Sequence, residues 1–148
     1  MLTIVNKGKY LFGVVMEKRV NKWGVIPYRG IDSENLEFLI VTTKNGNWGL
    51  PKGNLMKKLG SKETALQEAY EEAGIIGSVI DQKISAKIKG KQMAFYPMEV
   101  KNELAVWPES EWRQRKWIRS NEAKDYLNHG SLRSILEETS AKLLQSCT

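Results

Sequence analysis

A short helix that carries three carboxylates on one side constrains this chain more than any other feature. The segment 53–75 reads GNLMKKLGSKETALQEAYEEAGI. Its second half predicts a helix from Lys62 to Ala73, because Ser61 suits an N-cap and Gly74 suits the position just after a helix end. The fold must therefore accommodate an acidic helix that follows a glycine-containing loop.

The predicted helix divides into an apolar side and an acidic side when successive residues are placed about 100° apart. The apolar side is expected to hold Leu66, Ala69, Tyr70 and Ala73. The acidic side holds Glu68, Glu71 and Glu72. Carboxylates one turn apart repel each other, and a bound hard cation would turn that cost into a gain. The residues alone leave two interpretations open, a solvated acidic face and a metal site.

The residues around the helix resemble the signature of the Nudix hydrolases, G-x5-E-x7-R-E-U-x-E-E-x-G-U, in which U is aliphatic. Gly53 opens the segment and the run 67–75 closes it, with the spacing of the signature and no insertion or deletion. Leu59 stands where the signature has Glu, and Gln67 stands where it has Arg. The resemblance implies one Nudix domain over residues 1–148, an α/β fold in which a mixed sheet lies between helices as an α/β/α sandwich.

The same resemblance implies a metal site and a catalytic role for the acidic helix. The implied metal ligands are Gly53, Glu68, Glu71 and Glu72, and the three glutamates are also the implied catalytic residues. The implied ion is Mg²⁺, with Mn²⁺ as an alternative, because breaking a phosphoanhydride requires neutralised oxyanions and an aligned water. The arginine that Gln67 replaces orients the neighbouring glutamate in the family, so Glu68 is expected to be held less firmly. Leu59 is expected to pack in the loop.

A second resemblance covers residues 23–123 and points to the diphosphoinositol polyphosphate phosphohydrolase branch and its bacterial relatives. It rests on a W-x-x-P-[KG]-G motif at 48–53 and an R-x-R/K-x-W strand beginning at Arg113. Arg113 and Arg115 share a face of an extended chain, so they are expected to grip one polyphosphate. The candidate phosphate contacts are Lys44, Lys52, Arg113 and Arg115, and an ordinary basic rim is the alternative.

Outside the acidic helix, the sequence predicts strands that alternate with a central and a terminal helical region. The strands are expected at 23–28, 36–43, 75–88, 92–100 and 117–118, and further helices at 121–128 and 132–145, with Ser120 and Ser131 as N-caps. Pro27 indicates an edge strand or a bulge. The core is expected to take Trp23, Trp48 and Trp117. A basic hairpin with Lys87, Lys89 and Lys91 is expected to be solvated.

Composition narrows the class of partner and the compartment. The chain has 148 residues and a formal net charge of +6, which suits a polyanionic small molecule. No window approaches about 18 uninterrupted apolar residues, so neither a transmembrane helix nor a membrane partner is expected. The single cysteine, Cys147, excludes an internal disulfide and fits a cytoplasmic location.

These expectations together describe a Mg²⁺-dependent pyrophosphohydrolase. Its expected substrate is a nucleoside diphosphate derivative, a dinucleoside polyphosphate or a diphosphoinositol polyphosphate. Two alternatives stay open. One is a non-catalytic Nudix domain that binds a phosphate ligand, and the other is an enzyme that removes pyrophosphate from RNA 5′ ends, which would make nucleic acid a partner. The five tryptophans permit the RNA alternative without favouring it.

Overall fold

The computed structural model describes residues 6–7, 9–10, 19–31 and 34–146, so Cys147 lies outside the described residues. The strands are β1 (Asn6–Lys7), β2 (Lys9–Tyr10), β3 (Lys22–Arg29), β4 (Glu37–Thr42), β5 (Trp48–Gly49), β6 (Lys52–Gly53), β7 (Ile75–Val79), β8 (Ile84–Ile88), β9 (Lys91–Glu103) and β10 (Arg115–Ile118). The helices are α1 (Gly60–Ala73), α2 (Ala123–Tyr126) and α3 (Gly130–Ser146), and a 3₁₀ turn, Ser120–Glu122, precedes α2.

A mixed β-sheet forms the middle layer, in the order β10-β4-β3-β9-β7. Strand β5 pairs with β4, β6 with β3, and β8 with β9, while β1 and β2 pair separately. Strands β3 and β9 run parallel, with Lys22 opposite Met93 and Tyr28 opposite Glu99. The other pairings of this sheet are antiparallel.

The two faces of the sheet are covered by different helices, because side chains alternate along each strand. In β4, Phe38 and Ile40 belong to the core cluster that contains α2 and α3 side chains. Leu39 and Val41 belong to the cluster that contains the alanines of α1. The sandwich predicted from the sequence is therefore confirmed, with α1 on one face and α3 on the other. No helix within the described ranges has the length and apolarity needed to cross a membrane.

Helix α1 begins earlier than the sequence predicts. It starts at Gly60, and its N-cap position is Leu59, which makes no capping hydrogen bond. The predicted cap, Ser61, instead places its Oγ 2.8 Å from Oη of Tyr96. The predicted end is confirmed, because Gly74 adopts the left-handed conformation (φ 65°) that ends a helix and that glycine accommodates without strain.

The C-terminal helices also differ from the prediction at their starts. The helix predicted at 121–128 is divided between the 3₁₀ turn and the four-residue α2. Helix α3 already includes Ser131, whose Oγ donates to the carbonyl of Lys87 rather than capping the helix. The apolar stripe of α3 is confirmed by its buried leucine and isoleucine side chains, Leu132, Ile135, Leu136 and Leu143.

The segment predicted as one strand at 75–88 is two strands, β7 and β8, and both pair with β9. The prediction that Pro27 marks an edge or a bulge is wrong, because β3 lies inside the sheet. Val25 donates its N–H to Pro51, so Pro27, two residues later, faces the same side. On that side the pairing of β3 with β6 has ended at Gly24, and its pairing with β4 starts only at Tyr28. The missing N–H of Pro27 therefore costs no ladder hydrogen bond.

The core positions predicted for three tryptophans are confirmed, although each side chain is only partly buried. Trp48 packs against the cluster on the α3 face and meets Tyr126 edge-on, with ring centroids 6.1 Å apart. Trp23 and Trp117 pack against the cluster on the α1 face.

Candidate metal and phosphate site

Helix α1 is rotated about its axis relative to the sequence prediction. Ala65, Ala69 and Ala73, spaced four residues apart, are fully buried against the sheet. These small side chains allow the helix to sit close to the strands, so the buried face centres on them and includes Glu72. Tyr70, predicted on the buried side, is 39 % exposed. The prediction that all three glutamates lie on a side separate from the buried apolar side is therefore wrong for Glu72.

Glu68 and Glu72, one turn apart on α1, form a hydrogen-bonded carboxyl pair. Burial raises the pKa of Glu72 to about 8, Arg113 opposes that shift, and the neighbouring Glu68 adds to it. Burial also raises the pKa of Glu68, while its hydrogen bond to Glu72 acts in the opposite direction. A carboxyl pair of this kind shares a proton when no other cation neutralises it. The carboxyl oxygens of Glu68 and Glu72 therefore lie close together in a partly desolvated position.

Strand β6 lies directly against this carboxyl pair. The backbone N–H of Lys52 donates to Oε1 of Glu72 over 3.3 Å. A Cβ atom built on Gly53 would overlap the carboxyl group of Glu68, so only glycine permits this approach. The loop glycine of the sequence signature is thus placed beside Glu68, the glutamate that follows the arginine position of the signature.

Glu71, the third candidate ligand, is bonded to a neighbouring side chain of the same helix. Its Oε2 accepts a hydrogen bond of 2.7 Å from Nε2 of Gln67, whereas the sequence led us to expect Gln67 beside Glu68. The expectation that Leu59 packs in the loop is also wrong, since this side chain is 46 % exposed. Within residues 19–31 and 34–145, no three acidic, histidine or cysteine side chains form a group arranged to hold a metal ion.

The end of α1 is held by the segment 104–115, which we call the capping segment. The last carbonyl groups of a helix have no partner within the helix. Here one donor reaches each carbonyl from residue 71 to residue 74, namely Glu109 N–H (3.1 Å), Trp107 Nε1 (2.9 Å), Arg115 Nη1 (2.7 Å) and Leu104 N–H (2.8 Å). The sequence reasoning missed this role, because no local pattern links the segment to the helix.

Arg113 and Arg115 do not form the paired phosphate grip that the sequence predicts. The Arg113 guanidinium donates to the Thr42 carbonyl (2.5 Å) and to Glu109 Oε1 (2.6 Å). Arg115 donates to the carbonyls of the helix end and of Leu104, and it stacks over the ring of Trp107. Both side chains are largely buried, at 9 % and 17 % exposure. Both guanidinium groups donate to acceptors within the protein. Although the two residues alternate along an extended chain, they do not share a ligand-binding face as the sequence predicts.

The two candidate lysines occupy different environments. Lys44 lies in the exposed turn between β4 and β5. Lys52 is half-buried beside the carboxyl pair, and burial lowers the pKa of its ammonium while the charge of Glu72 opposes that shift. The structure brings Lys52 to the acidic site and leaves Lys44 on the surface. That Lys44 and Lys52 contact phosphate stays a prediction.

A basic groove of about 790 Å³ opens next to the residues that follow Gly53. We define this basic groove by six of its lining residues, Arg19, Lys22, Trp23, Lys57, Lys83 and Lys91. No carboxylate is among the described residues that line it. The sequence reasoning missed four of the five cations and treated Lys91 as solvated, because these residues come from separate segments. A concentration of like charge in a concave surface attracts a polyanion.

Trp23, the aromatic residue among those that line the groove, makes two ring contacts. The Trp23 ring stacks on Tyr96 with centroids 6.1 Å apart, and Nζ of Lys83 lies 5.9 Å from the Trp23 ring centroid. A tryptophan face flanked by a cation can stack on a planar group of a ligand. The groove therefore combines phosphate-attracting charge with one aromatic surface.

Comparison with known proteins places these features in context, although no family model matches the chain. The chain is 36 % identical over 115 residues to Nudix hydrolase 18, mitochondrial, of Arabidopsis thaliana, covering 69 % of this chain and 65 % of the relative. It is 31 % identical over 137 residues to the Arabidopsis Nudix hydrolase 16, mitochondrial, covering 78 % and 76 %. It is 27 % identical over 119 residues to the bis(5′-nucleosyl)-tetraphosphatase [asymmetrical] of Sus scrofa, covering 73 % and 81 %.

Solved structures share the fold. A binary complex of the C. elegans Ap4A hydrolase matches with a TM-score of 0.72 at 22 % identity, covering 84 % of this chain and 99 % of that one. A Nudix hydrolase from M. smegmatis matches with a TM-score of 0.61 at 16 % identity, covering 86 % and 90 %. Against three of the Arabidopsis relatives, the chain spans 62–65 % of their length.

Proposed function

Because this chain belongs to the Nudix hydrolase family, we propose that it is a divalent-metal-dependent pyrophosphohydrolase that cleaves a phosphoanhydride bond. The observation that carries the proposal is the carboxyl pair of Glu68 and Glu72 beside Gly53. Two carboxyl groups held together out of water are costly when charged, and a divalent cation between them removes that cost. Their oxygen atoms are hard ligands, which suit Mg²⁺ and also Mn²⁺.

The residues of α1 and β6 divide the work of such a site. The proposed ligands are Glu68, Glu72 and the backbone carbonyl of Gly53, with Glu71 joining them after release from Gln67. A bound Mg²⁺ would supply neutralisation of phosphate oxygens and activation of water. Gln67 carries no charge, so its bond to Glu71 is weaker than a bond from an arginine at the same position and easier to give up. One of the three glutamates accepts the proton of the attacking water.

The basic groove supports a substrate with several phosphates and a planar group. Five cations match a polyphosphate chain, and the Trp23 face matches a base. We therefore place dinucleoside polyphosphates first, which agrees with the names of the pig tetraphosphatase and the C. elegans Ap4A hydrolase. Nucleoside diphosphate derivatives and diphosphoinositol polyphosphates follow.

A product assay tests this proposal. The purified protein is incubated with diadenosine tetraphosphate, ADP-ribose, a diphosphoinositol polyphosphate or 5′-triphosphate RNA, with Mg²⁺ or with EDTA, and the products are separated by anion exchange. We expect Mg²⁺-dependent release of a mononucleotide from the tetraphosphate. Binding by calorimetry without product from any substrate would favour the non-catalytic alternative. Faster cleavage of the RNA would favour the RNA 5′-end alternative.

The groove makes a prediction about substrate affinity. Lys83→Ala or Lys91→Ala should raise KM for diadenosine tetraphosphate about tenfold, equal to about 1.4 kcal/mol, with kcat less affected. The effect should be smaller for a diphosphate substrate and should shrink in about 1 M salt, where exposed charges are screened. Lys101→Ala is the matched control, because Lys101 is an exposed lysine of β9 that pairs with Glu99 outside the groove. Equal KM values for wild type and groove variants would remove the groove from substrate binding.

The proposed compartment and the proposed extent of the domain rest on the sequence. The cytoplasm, expected from the cysteine content, stays a prediction, and several relatives carry names that place them in mitochondria or chloroplasts. A fluorescent fusion of the full chain tests the location. Limited proteolysis of residues 1–148 tests whether they behave as one domain.

A further inference from the structure

The cation beside the buried glutamate of α1 comes from a distant part of the chain. The Nudix signature that this segment resembles has Arg at the position of Gln67. Gln67 carries no charge, and it bonds to Glu71. Arg113 of the capping segment lies with Nη2 3.6 Å from Oε2 of Glu72, and each of these two side chains is 9 % exposed. A positive charge therefore faces the carboxyl pair although residue 67 does not supply it.

The Arg113 guanidinium is itself fixed on several sides. Its Nε lies 2.6 Å from Oε1 of Glu109, and its Nη1 donates to the Thr42 carbonyl. Its Cζ lies 4.1 Å from the ring centroid of Trp112. A planar guanidinium held by three neighbours has little freedom to swing toward a ligand in solvent. The remaining donor group, Nη2, is therefore directed at Glu72.

The geometry of Glu72 shows what that donor group does. One carboxyl oxygen accepts from the Lys52 N–H and the other faces Arg113, so the plane of the carboxyl group is set from two sides. In this orientation Glu72 lies against β6 beside Glu68, because Lys52 contacts Glu72 and the adjacent Gly53 contacts Glu68. Glu109 neutralises the charge of Arg113 at close range. The Arg113–Glu109 pair therefore orients the carboxyl group of Glu72 more than it adds net positive charge to the site.

We propose that Arg113 is the positioning residue of the metal site, holding the carboxyl group of Glu72 toward Glu68, a role that Gln67 does not fill. The inference rests on the proposed function, since it concerns the same carboxyl pair. Two other roles make different predictions. If Arg113 contacts phosphate directly, its substitution should raise KM. If Arg113 only stabilises the capping segment, its substitution should lower the melting temperature and leave metal binding unchanged.

The test compares Mn²⁺ affinity, measured without substrate from the electron paramagnetic resonance signal of free Mn²⁺, with steady-state kinetics. The double variant Arg113→Met/Glu109→Gln removes one positive and one negative charge, so the local net charge is that of the wild type. Glu109→Gln alone reports the contribution of Glu109. Relative to the wild type, we expect the double variant to bind Mn²⁺ about tenfold more weakly and to turn over about 10–100-fold more slowly. KM should change by less than about threefold.

The matched control is Arg133→Met, which removes an arginine of α3 that donates to the Leu127 carbonyl away from the carboxyl pair. It should alter the melting temperature and leave Mn²⁺ affinity as in the wild type. Mn²⁺ binding by the double variant as tight as that of the wild type, or tighter, would overturn the proposal. A higher KM with kcat retained would also overturn it, in favour of a phosphate contact.

Arg113→Lys covers the case in which the double variant does not fold. Lysine keeps the charge but lacks the planar fork, so it cannot serve Glu109, Thr42 and Glu72 together. We expect Mn²⁺ affinity and kcat to fall by about threefold or more, and wild-type values would overturn the proposal. If the wild-type protein cleaves none of the substrates tested, the Mn²⁺ measurement still decides the positioning role.

Discussion

Glu72→Gln should lower kcat by a factor on the order of 10²–10⁴ while the fold survives. The amide keeps the shape of the side chain but removes the charge that would hold a divalent ion between the glutamates. Glu71→Gln should also lower kcat on that order. Turnover of the best substrate at saturating Mg²⁺ is the measurement. Glu63→Gln is the control, since Glu63 lies exposed in the first turn of the same helix. Near wild-type turnover of both the Glu71 and Glu72 variants would contradict the catalytic assignment.

Glu72→Gln should also change how the free energy of unfolding depends on pH when no metal is present. The folded-state pKa of Glu72 is raised from 4.5 to about 8, so the folded protein keeps a proton that the unfolded chain releases. The stability gained from this proton is fully present below about pH 4.5 and is lost as the pH rises to about 8. Glu72→Gln removes that loss. In EDTA, its melting temperature should exceed that of the wild type most at the alkaline end of this window.

Adding Mg²⁺ gives the complementary measurement. Metal that binds the folded state stabilises it, so the wild type should gain melting temperature at about pH 8 and Glu72→Gln should gain much less. Equal Mg²⁺ stabilisation of the two proteins would place the metal elsewhere. In EDTA, the melting temperature of the wild type should fall relative to that of Glu72→Gln as the pH rises from about 4.5 to about 8. If it does not fall, Glu72 is not held protonated in the folded protein.

Gly53→Ala should lower kcat by about 10² with a small effect on stability. The added Cβ would overlap the carboxyl end of Glu68, which is the flexible tip of a side chain. That tip can move aside at little cost to the fold, but it then leaves its place beside Glu72. Activity and melting temperature should therefore separate. Kinetics and thermal unfolding of the same preparation provide the comparison.

Gly130→Ala is the matched control for this loop substitution. A Cβ at Gly130 meets only the end of Arg133 at 3.6 Å, an ordinary contact. It should leave both kcat and the Mg²⁺ dependence as in the wild type. Retention of full activity by Gly53→Ala would show that the close approach of β6 to Glu68 is not needed for turnover.

Local patterns in the sequence predicted the elements well where contacts lie within a few residues. The acidic helix, its glycine end, strand β4 and the apolar stripe of α3 were all predicted, because helix and strand periodicities are properties of short segments. The start of α1 was missed, since Ser61 finds its partner in Tyr96 on another element. The interior place of Pro27 was missed because it depends on which neighbouring strands stop beside it.

By itself, the sequence determined the family signature, the α/β class and the three glutamates of one helix. The tertiary structure alone decided that Glu72 is buried, that Arg113 faces it and that five scattered cations line one groove. The physical reason is the range of the interactions. Spacing along a helix fixes which residues share a turn. Burial, and the charges that meet a carboxylate, depend on packing between segments far apart in the chain, which no local spacing encodes.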